Sequence, residues 1–263
     1  MFPPERIVCL TEETVETLYL LGEERRIVGV SGYTVRPARA RREKPRVSAF
    51  ISADFDKILA LEPDLVLTFS DLQADIAAEL IRRNVAVHAF NQRDVAGILA
   101  MVRALGALVD ASGKADALAA TLARRLEDVR GHAAELTRHP RVYFEEWDEP
   151  MISGIGWVAE LVEIAGGIDV FPALSKRKNA KDRIVSGEEL IAAAPDIIVG
   201  SWCGKKFVTA KVAARPGFAA IPAVRDGFLH EIKSALILQP GPAALTDGLD
   251  ALATIITQWA STR

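Results

Sequence analysis

The stretch Glu145-Glu146-Trp147-Asp148-Glu149 places four carboxylates and an indole within five residues, directly after the apolar run Val142-Tyr143-Phe144. Carboxylates at that density suit a hard, oxygen-seeking cation, and alternation along a strand would turn Glu146 and Asp148 to one face. No second acidic cluster completes a coordination shell, so a solvated loop is the expected role. Trp147 and Trp202 both stand among polar residues, the latter in Ser201-Trp202-Cys203-Gly204-Lys205-Lys206. An indole in a polar loop offers a surface for a flat apolar ligand, and both rings are expected to be open. Trp157 has two readings, a hydrophobic staple at a helix start or a ligand-facing ring. Trp259 falls in the terminal helix and reads as core.

Other chemistry finds less support. His88, His132, His139 and His230 are scattered over strands and linker ends, whereas zinc needs three or four clustered ligands. Cys9 and Cys203 lack the close companion of a CxxC site and read as structural thiols. Neither a GxSxG elbow, a GxxxxGK[ST] loop nor a GxGxxG turn is present. Ser153-Gly154-Ile155-Gly156 is the nearest approach to a phosphate-cradling loop. No catalytic residue and no metal ligand is assigned.

The elements that must hold these residues repeat. Ile58-Leu59-Ala60-Leu61-Glu62-Pro63-Asp64-Leu65-Val66-Leu67 returns without a gap as Leu190-Ile191-Ala192-Ala193-Ala194-Pro195-Asp196-Ile197-Ile198-Val199. Arg6-Ile7-Val8 is echoed by Arg141-Val142-Tyr143, and Leu21-Gly22 by Ala165-Gly166. With 263 residues, half of them hydrophobic, the chain has room for two packed lobes. Its net charge of −3 gives no sign of a nucleic-acid partner, and the basic run Arg36 to Arg46 reads as a solvated loop.

Alternation of strands and helices predicts a parallel sheet in each lobe. The first lobe carries strands at Ile7 to Leu10, Ile27 to Val30, Leu65 to Phe69 and Val85 to Phe90, with helices over Thr14 to Leu21, from Asp54, and over Asp75 to Arg83. The second carries strands at Arg141 to Glu145, Ile168 to Phe171, Ile197 to Gly200 and Phe228 to Ile232. The fold class is therefore α/β, two Rossmann-like lobes over 1–93 and 140–263 joined by a helical linker, 94–139. Within that linker Ser112 reads as an N-cap, and apolar residues at Leu118, Leu122, Leu126, Val129, Ala133 and Leu136 predict one long helix from Gly113, about 36 Å in length. Such a strut predicts small hinge motions. Met1-Phe2-Pro3-Pro4 runs straight into the first strand, so a cytoplasmic location is expected as the chain is written, and a periplasmic one if a leader has been removed.

Taken together, Arg6-Ile7-Val8-Cys9-Leu10, Leu21-Gly22, Ile27-Val28-Gly29-Val30, Pro45-Arg46-Val47, the two Pro-Asp units, the long helix and Gly241-Pro242 resemble the helical-backbone class of substrate-binding proteins of ATP-driven importers. Tyr33 after Gly29-Val30-Ser31, Glu146-Trp147-Asp148-Glu149-Pro150 and Gly156-Trp157 resemble the vitamin B12 binders of that class. The resemblance implies two lobes bridged by one α-helix, a corrinoid (cobalamin or cobinamide) as ligand, no catalytic cofactor and no enzymatic activity. It implies capture for ABC-type import or intracellular handling, by a monomer that neither enters a membrane nor binds nucleic acid. Ferric siderophore or haem binding, and an enzyme acting on a corrinoid or tetrapyrrole with Glu146 as acid or base, are the alternatives. The Asp-x-His-x-x-Gly signature of cobalamin-dependent enzymes is missing.

A corrinoid is a broad amide-fringed ring, and loops after parallel strands line the crevice of such sheets. Those loops give Thr11, Glu12, Tyr33, Phe50, Phe69 and Ser70 in the first lobe, and Glu146, Trp147, Trp157, Trp202, Lys205 and Gln239 in the second. Members of the class dock on their permease through an acidic side chain on each lobe. Asp71 or Asp75 fits the first, whereas Gly204-Lys205-Lys206 stands where the second is expected.

Overall fold

The computed structural model describes residues 2–262. The chain forms two compact units, one of Met1–Gln92 with Ala96–Leu122, the other of Arg93–Val95 with Ala123–Arg263. The first holds five strands, β1 (Ile7–Cys9), β2 (Ile27–Ser31), β3 (Arg46–Ser48), β4 (Leu65–Phe69) and β5 (Val87–Phe90), all parallel in the order β3-β2-β1-β4-β5. Every residue of β1 and β4 is buried, as befits central strands covered by helices on both faces. Val8, Leu10, Val47, Ile58, Val66, Ile76, Leu80 and Val85 close one side of the sheet. From β1 the chain winds to β2 and β3 on one side and later to β4 and β5 on the other. The order thus reverses between β1 and β4, the place past whose carboxyl ends open α/β sheets receive ligands.

The second unit holds β6 (Arg141–Asp148), β7 (Met151–Ser153), β8 (Ile168–Asp169), β9 (Ile197–Gly200) and β10 (Leu229–Glu231), in the order β10-β9-β6-β7 with β8 alongside the start of β6. It is not the wholly parallel sheet expected. β6 runs three residues past its predicted end and folds back through Glu149-Pro150, so β7 pairs with it antiparallel, Glu145 opposite Ser153. Two strands absent from the sequence reading, β3 and β7, are three residues each, too short for an alternation pattern to declare itself.

The repeat has a physical cause. In the first unit the carboxylate of Asp64 accepts the N–H groups of Glu5 and Arg6 at 2.7 and 2.9 Å, while the Arg6 guanidinium donates to the carbonyls of Leu61 and Glu62. In the second, Asp196 accepts the Arg141 N–H at 3.0 Å and the Arg141 guanidinium donates to Ala193. Glu62 and Ala194, at φ 45° and 43°, turn the chain out of the preceding helix in both. Each arginine thus occupies helix-end carbonyls that would otherwise lack partners, and each aspartate fixes the first amides of a central strand.

Helices Val95–Leu108 and Ser112–Ala134 follow β5. A Cβ at Gly106 would lie 2.1 Å from that of Ala115, so glycine is required where these helices touch. The longer one begins at Ser112 itself, one residue before its predicted start, and ends two before Leu136. Its 23 residues span about 34 Å, and the boundary between the units falls within it. No helix among the described residues is long and apolar enough to cross a membrane.

Candidate functional site

In the first unit, the loops past the carboxyl ends of the strands expose an apolar edge. Tyr33 after β2, Ile51 after β3 and Leu72 after β4 are 55, 72 and 58 % exposed, and Phe50 is half-buried. Hydrogen bonds cross-link these loops. Gly32 N–H donates to Ser48 at 2.7 Å, Ser70 N–H to Phe90 at 2.8 Å, and the buried Gln73 carboxamide joins Phe69, Leu10 and Phe50. Ser70 holds a left-handed φ of 60°, and its Oγ accepts the Leu72 N–H. Phe69 is itself buried in β4, so its ring is core rather than part of the open edge.

Thr11 and Glu12 stand where β1 gives way to helix Glu12–Leu20, and both are buried, as is Glu13. Carboxylates in a first helical turn usually gain from the helix dipole. Here desolvation wins. Burial, then the neighbouring Glu13 and Glu16 charges, pushes the Glu12 carboxyl up to about 8, against a Val35 amide bond and Arg36. Burial likewise pushes Glu13 up to about 7, although it accepts the Thr11 hydroxyl at 2.6 Å. The Oε2 atoms of Glu12 and Glu13 are buried without a hydrogen-bond partner among the described residues. Burial therefore favours the neutral, protonated form of Glu12.

In the second unit the acidic stretch at the end of β6 is neutralised by its own cations, one for each of three acids. Glu145, fully buried, takes both guanidinium nitrogens of Arg215, at 2.6 and 2.9 Å, and the Trp202 indole N–H at 2.9 Å. Glu146 sits at a register shift opposite β7 and takes Arg183, at 2.6 and 3.2 Å. Asp148 pairs with Lys205. Among the described residues no three His, Cys, Asp or Glu side chains gather to hold a metal ion. The neutralising partners Arg183 and Arg215 escaped the sequence reading because nothing local marks an arginine that reaches back tens of residues.

One of the two tryptophans expected to be open is not. Trp202 is 4 % exposed, packed edge-on against Phe207 at 4.9 Å, whose ring lies on the bare Cα of Gly200. Glu145 satisfies its indole N–H, which lets the polar loop send this ring inward. Trp157 is 3 % exposed and donates to the Ile237 carbonyl at 2.9 Å, so of its two readings the packed one holds. Trp147 stays half-exposed, its N–H on the Glu149 carbonyl and the Lys205 ammonium 4.0 Å above its ring. Gln239 is half-buried.

Trp259 packs in the terminal helix, 2 % exposed beneath the Arg138 guanidinium. Cys9 is buried, its thiol pushed up to about 12, whereas Cys203 is exposed and so is not the packed thiol expected. In the glycine loop before helix Gly156–Ile164 the Arg93 carbonyl packs against Gly156, 2.5 Å from where its Cβ would sit. His88 packs on Phe90 within β5, His230 lies in β10, His132 in the long helix, and His139 bonds the Gly166 carbonyl.

A family model described as periplasmic binding protein matches residues 7–236. The chain is 24 % identical over 247 residues to a cobalamin-binding protein of Halobacterium salinarum, an alignment that covers 91 % of this chain and 66 % of the relative. The chain thus spans just under two thirds of that relative's length. The structure of a periplasmic vitamin B12 binding protein of Vibrio cholerae superposes with a TM-score of 0.78 at 22 % identity, over 99 % of either chain. A periplasmic heme binding protein of Pseudomonas aeruginosa does so with a TM-score of 0.82 at 22 % identity, over 96 % of this chain and 92 % of the other. At such identities these structures establish the fold alone, two α/β units of the periplasmic-binding type.

Proposed function

We propose that this chain, which belongs to the periplasmic binding protein family, captures a corrinoid and returns it unchanged. The observation that carries the reading is the exposed apolar edge of the first unit, Tyr33, Phe50, Ile51 and Leu72, set on loops that hydrogen bonds hold fixed. Such a surface suits a broad ring with apolar margins. In the second unit Trp147 supplies the remaining accessible indole, with Lys205 over it. The cobalamin-binding relative, aligned along most of this chain, supports the same ligand class.

Haem or a ferric siderophore is the second reading, favoured by one observation, the exposed phenol of Tyr33 as an iron ligand. The histidines lend it little, since they lie in strands, the long helix and a backbone contact rather than on the strand-end loops. For delivery to an importer, Asp71 or Asp75, both exposed, is the acidic contact proposed on the first unit, whereas the second unit's loop presents exposed Lys206. Residence in the periplasm accompanies that delivery role.

The test is calorimetric titration with cyanocobalamin, dicyanocobinamide and haemin, followed by mass analysis of the recovered ligand. The proposal expects micromolar or tighter binding of a corrinoid, recovered intact, and weaker binding to Tyr33→Ala. Preference for haemin, abolished by Tyr33→Phe, would establish the second reading instead.

A further inference from the structure

Gln73 is 1 % exposed, although it belongs to the polar loop Ser70-Asp71-Leu72-Gln73. Its Oε1 accepts the Phe69 N–H at 3.0 Å, while its Nε2 donates to the carbonyl of Phe50 at 2.8 Å and that of Leu10 at 3.3 Å. The amide can stand only one way round: an N–H needs the oxygen, and two carbonyls need the NH2 group. Leu10 follows β1, Phe50 follows β3, and Phe69 closes β4. One side chain therefore joins three strand ends at the point where the strand order reverses, the place where open α/β sheets receive ligands.

On the corrinoid reading above, we infer that Gln73 is the positioning residue of this edge, holding the loops that carry Phe50, Ile51 and Leu72 in one arrangement before ligand arrives. The exposed side chains then lose little further freedom on binding, which is where preorganisation gains affinity. Leucine at 73 keeps the bulk and loses all three bonds. Glutamate loses both donors and sets a charge against two carbonyls. Asparagine keeps the chemistry one methylene short of reach, and so grades the effect if the other variants fold poorly.

Asp64→Ala is the control, because Asp64 binds the amides that lead into β1, at the opposite end of the same sheet. It lowers the stability of this unit without touching the strand-end loops. Amide hydrogen exchange without ligand, and titration with cyanocobalamin well below the unfolding temperature, are measured on the wild type and all four variants. In Gln73→Leu, exchange over 49–53 and 69–73 is expected to quicken at least tenfold and corrinoid affinity to fall about tenfold, while Asp64→Ala leaves both near wild type. Unchanged exchange in those loops, or an affinity loss matched by Asp64→Ala at equal loss of thermal stability, would overturn the positioning role. Absence of corrinoid binding by wild type would sink the ligand reading instead, and the exchange comparison alone would then decide whether Gln73 fixes the loops.

Discussion

The ammonium of Lys205 lies 4.0 Å from the centre of the Trp147 ring, where it covers one face of the indole, and Asp148 pairs with its charge. Stacking on that face of Trp147 must first move Lys205 aside, which costs a cation–π contact and an ion pair, both partly exposed. Lys205→Met is therefore expected to tighten corrinoid binding by a few-fold. Trp147→Ala should weaken it by roughly thirtyfold, the loss of an indole contact worth about 2 kcal/mol. Calorimetry on the two variants checks the opposite signs. Weaker binding in both would make Lys205 a ligand contact rather than a cover.

Buried carboxyls at the start of helix Glu12–Leu20 contribute a pH dependence of definite sign to the stability of the protein. Glu12 and Glu13 are raised from 4.5 to about 8 and about 7, chiefly by burial, with Glu16 and the Glu16–Arg36 ion pair beside them. Below pH 4.5 folded and unfolded chains alike hold these protons. Between about 4.5 and 8 only the folded chain does, so their contribution to stability is lost as pH rises through that window. Burial lowers His88 and His230, which oppose this trend below about pH 6.5, so thermal unfolding from pH 6.5 to 8.5 should show the melting temperature falling as pH rises. Glu12→Gln, a permanent mimic of the neutral acid, should flatten the slope and melt higher than wild type at pH 8. A slope unchanged in Glu12→Gln and in Glu13→Gln would assign the dependence elsewhere.

The equivalence of the two helix-to-strand joints predicts matched responses. Asp64→Ala frees two strand-leading amides and Asp196→Ala frees one, both near the surface, so each should cost on the order of 1 kcal/mol, the former more. Urea unfolding followed by far-ultraviolet dichroism measures both. A loss in only one variant would mean that the shared sequence has unlike roles in the two units.

That joint is also where the sequence was easiest to read. Arg6, Pro63 and Asp64, like Arg141, Pro195 and Asp196, interact through a local helix end and the strand beside it, so their pattern recurs in the chain as plainly as in space. The strand-end loops were legible as positions, and Tyr33, Phe50 and Trp147 do lie at least partly accessible on them. Direction was not legible. Whether Trp202 points in or out depends on Glu145, 57 residues away, and on the lack of a side chain at Gly200 beneath Phe207. Gln73 gave no signal at all, since its three partners are backbone groups and any residue type supplies those.

The acids at the end of β6 should differ in worth according to the burial of the cation each would leave unpaired. Glu145 is fully buried and holds both Arg215, itself 18 % exposed, and the Trp202 N–H, so Glu145→Ala strands a guanidinium and an indole donor in the core. Removing one partner of such a pair costs about 3–5 kcal/mol. Glu146 is 22 % exposed, but its partner Arg183 is fully buried and would keep the Ser153 carbonyl alone, so Glu146→Ala also strands a guanidinium and should cost about as much. Asp148 faces the more exposed Lys205, and its loss should cost under about 1 kcal/mol. The same geometry separates this neutralised cluster from a hard-metal site, whose carboxylates would repel one another until a cation arrived. Chemical denaturation of the three variants should place Glu145→Ala and Glu146→Ala well above Asp148→Ala in cost. Millimolar calcium or magnesium should leave the wild-type melting temperature where it was, and a rise of several degrees on adding either ion would show that these carboxylates exchange their arginines and lysine for a metal.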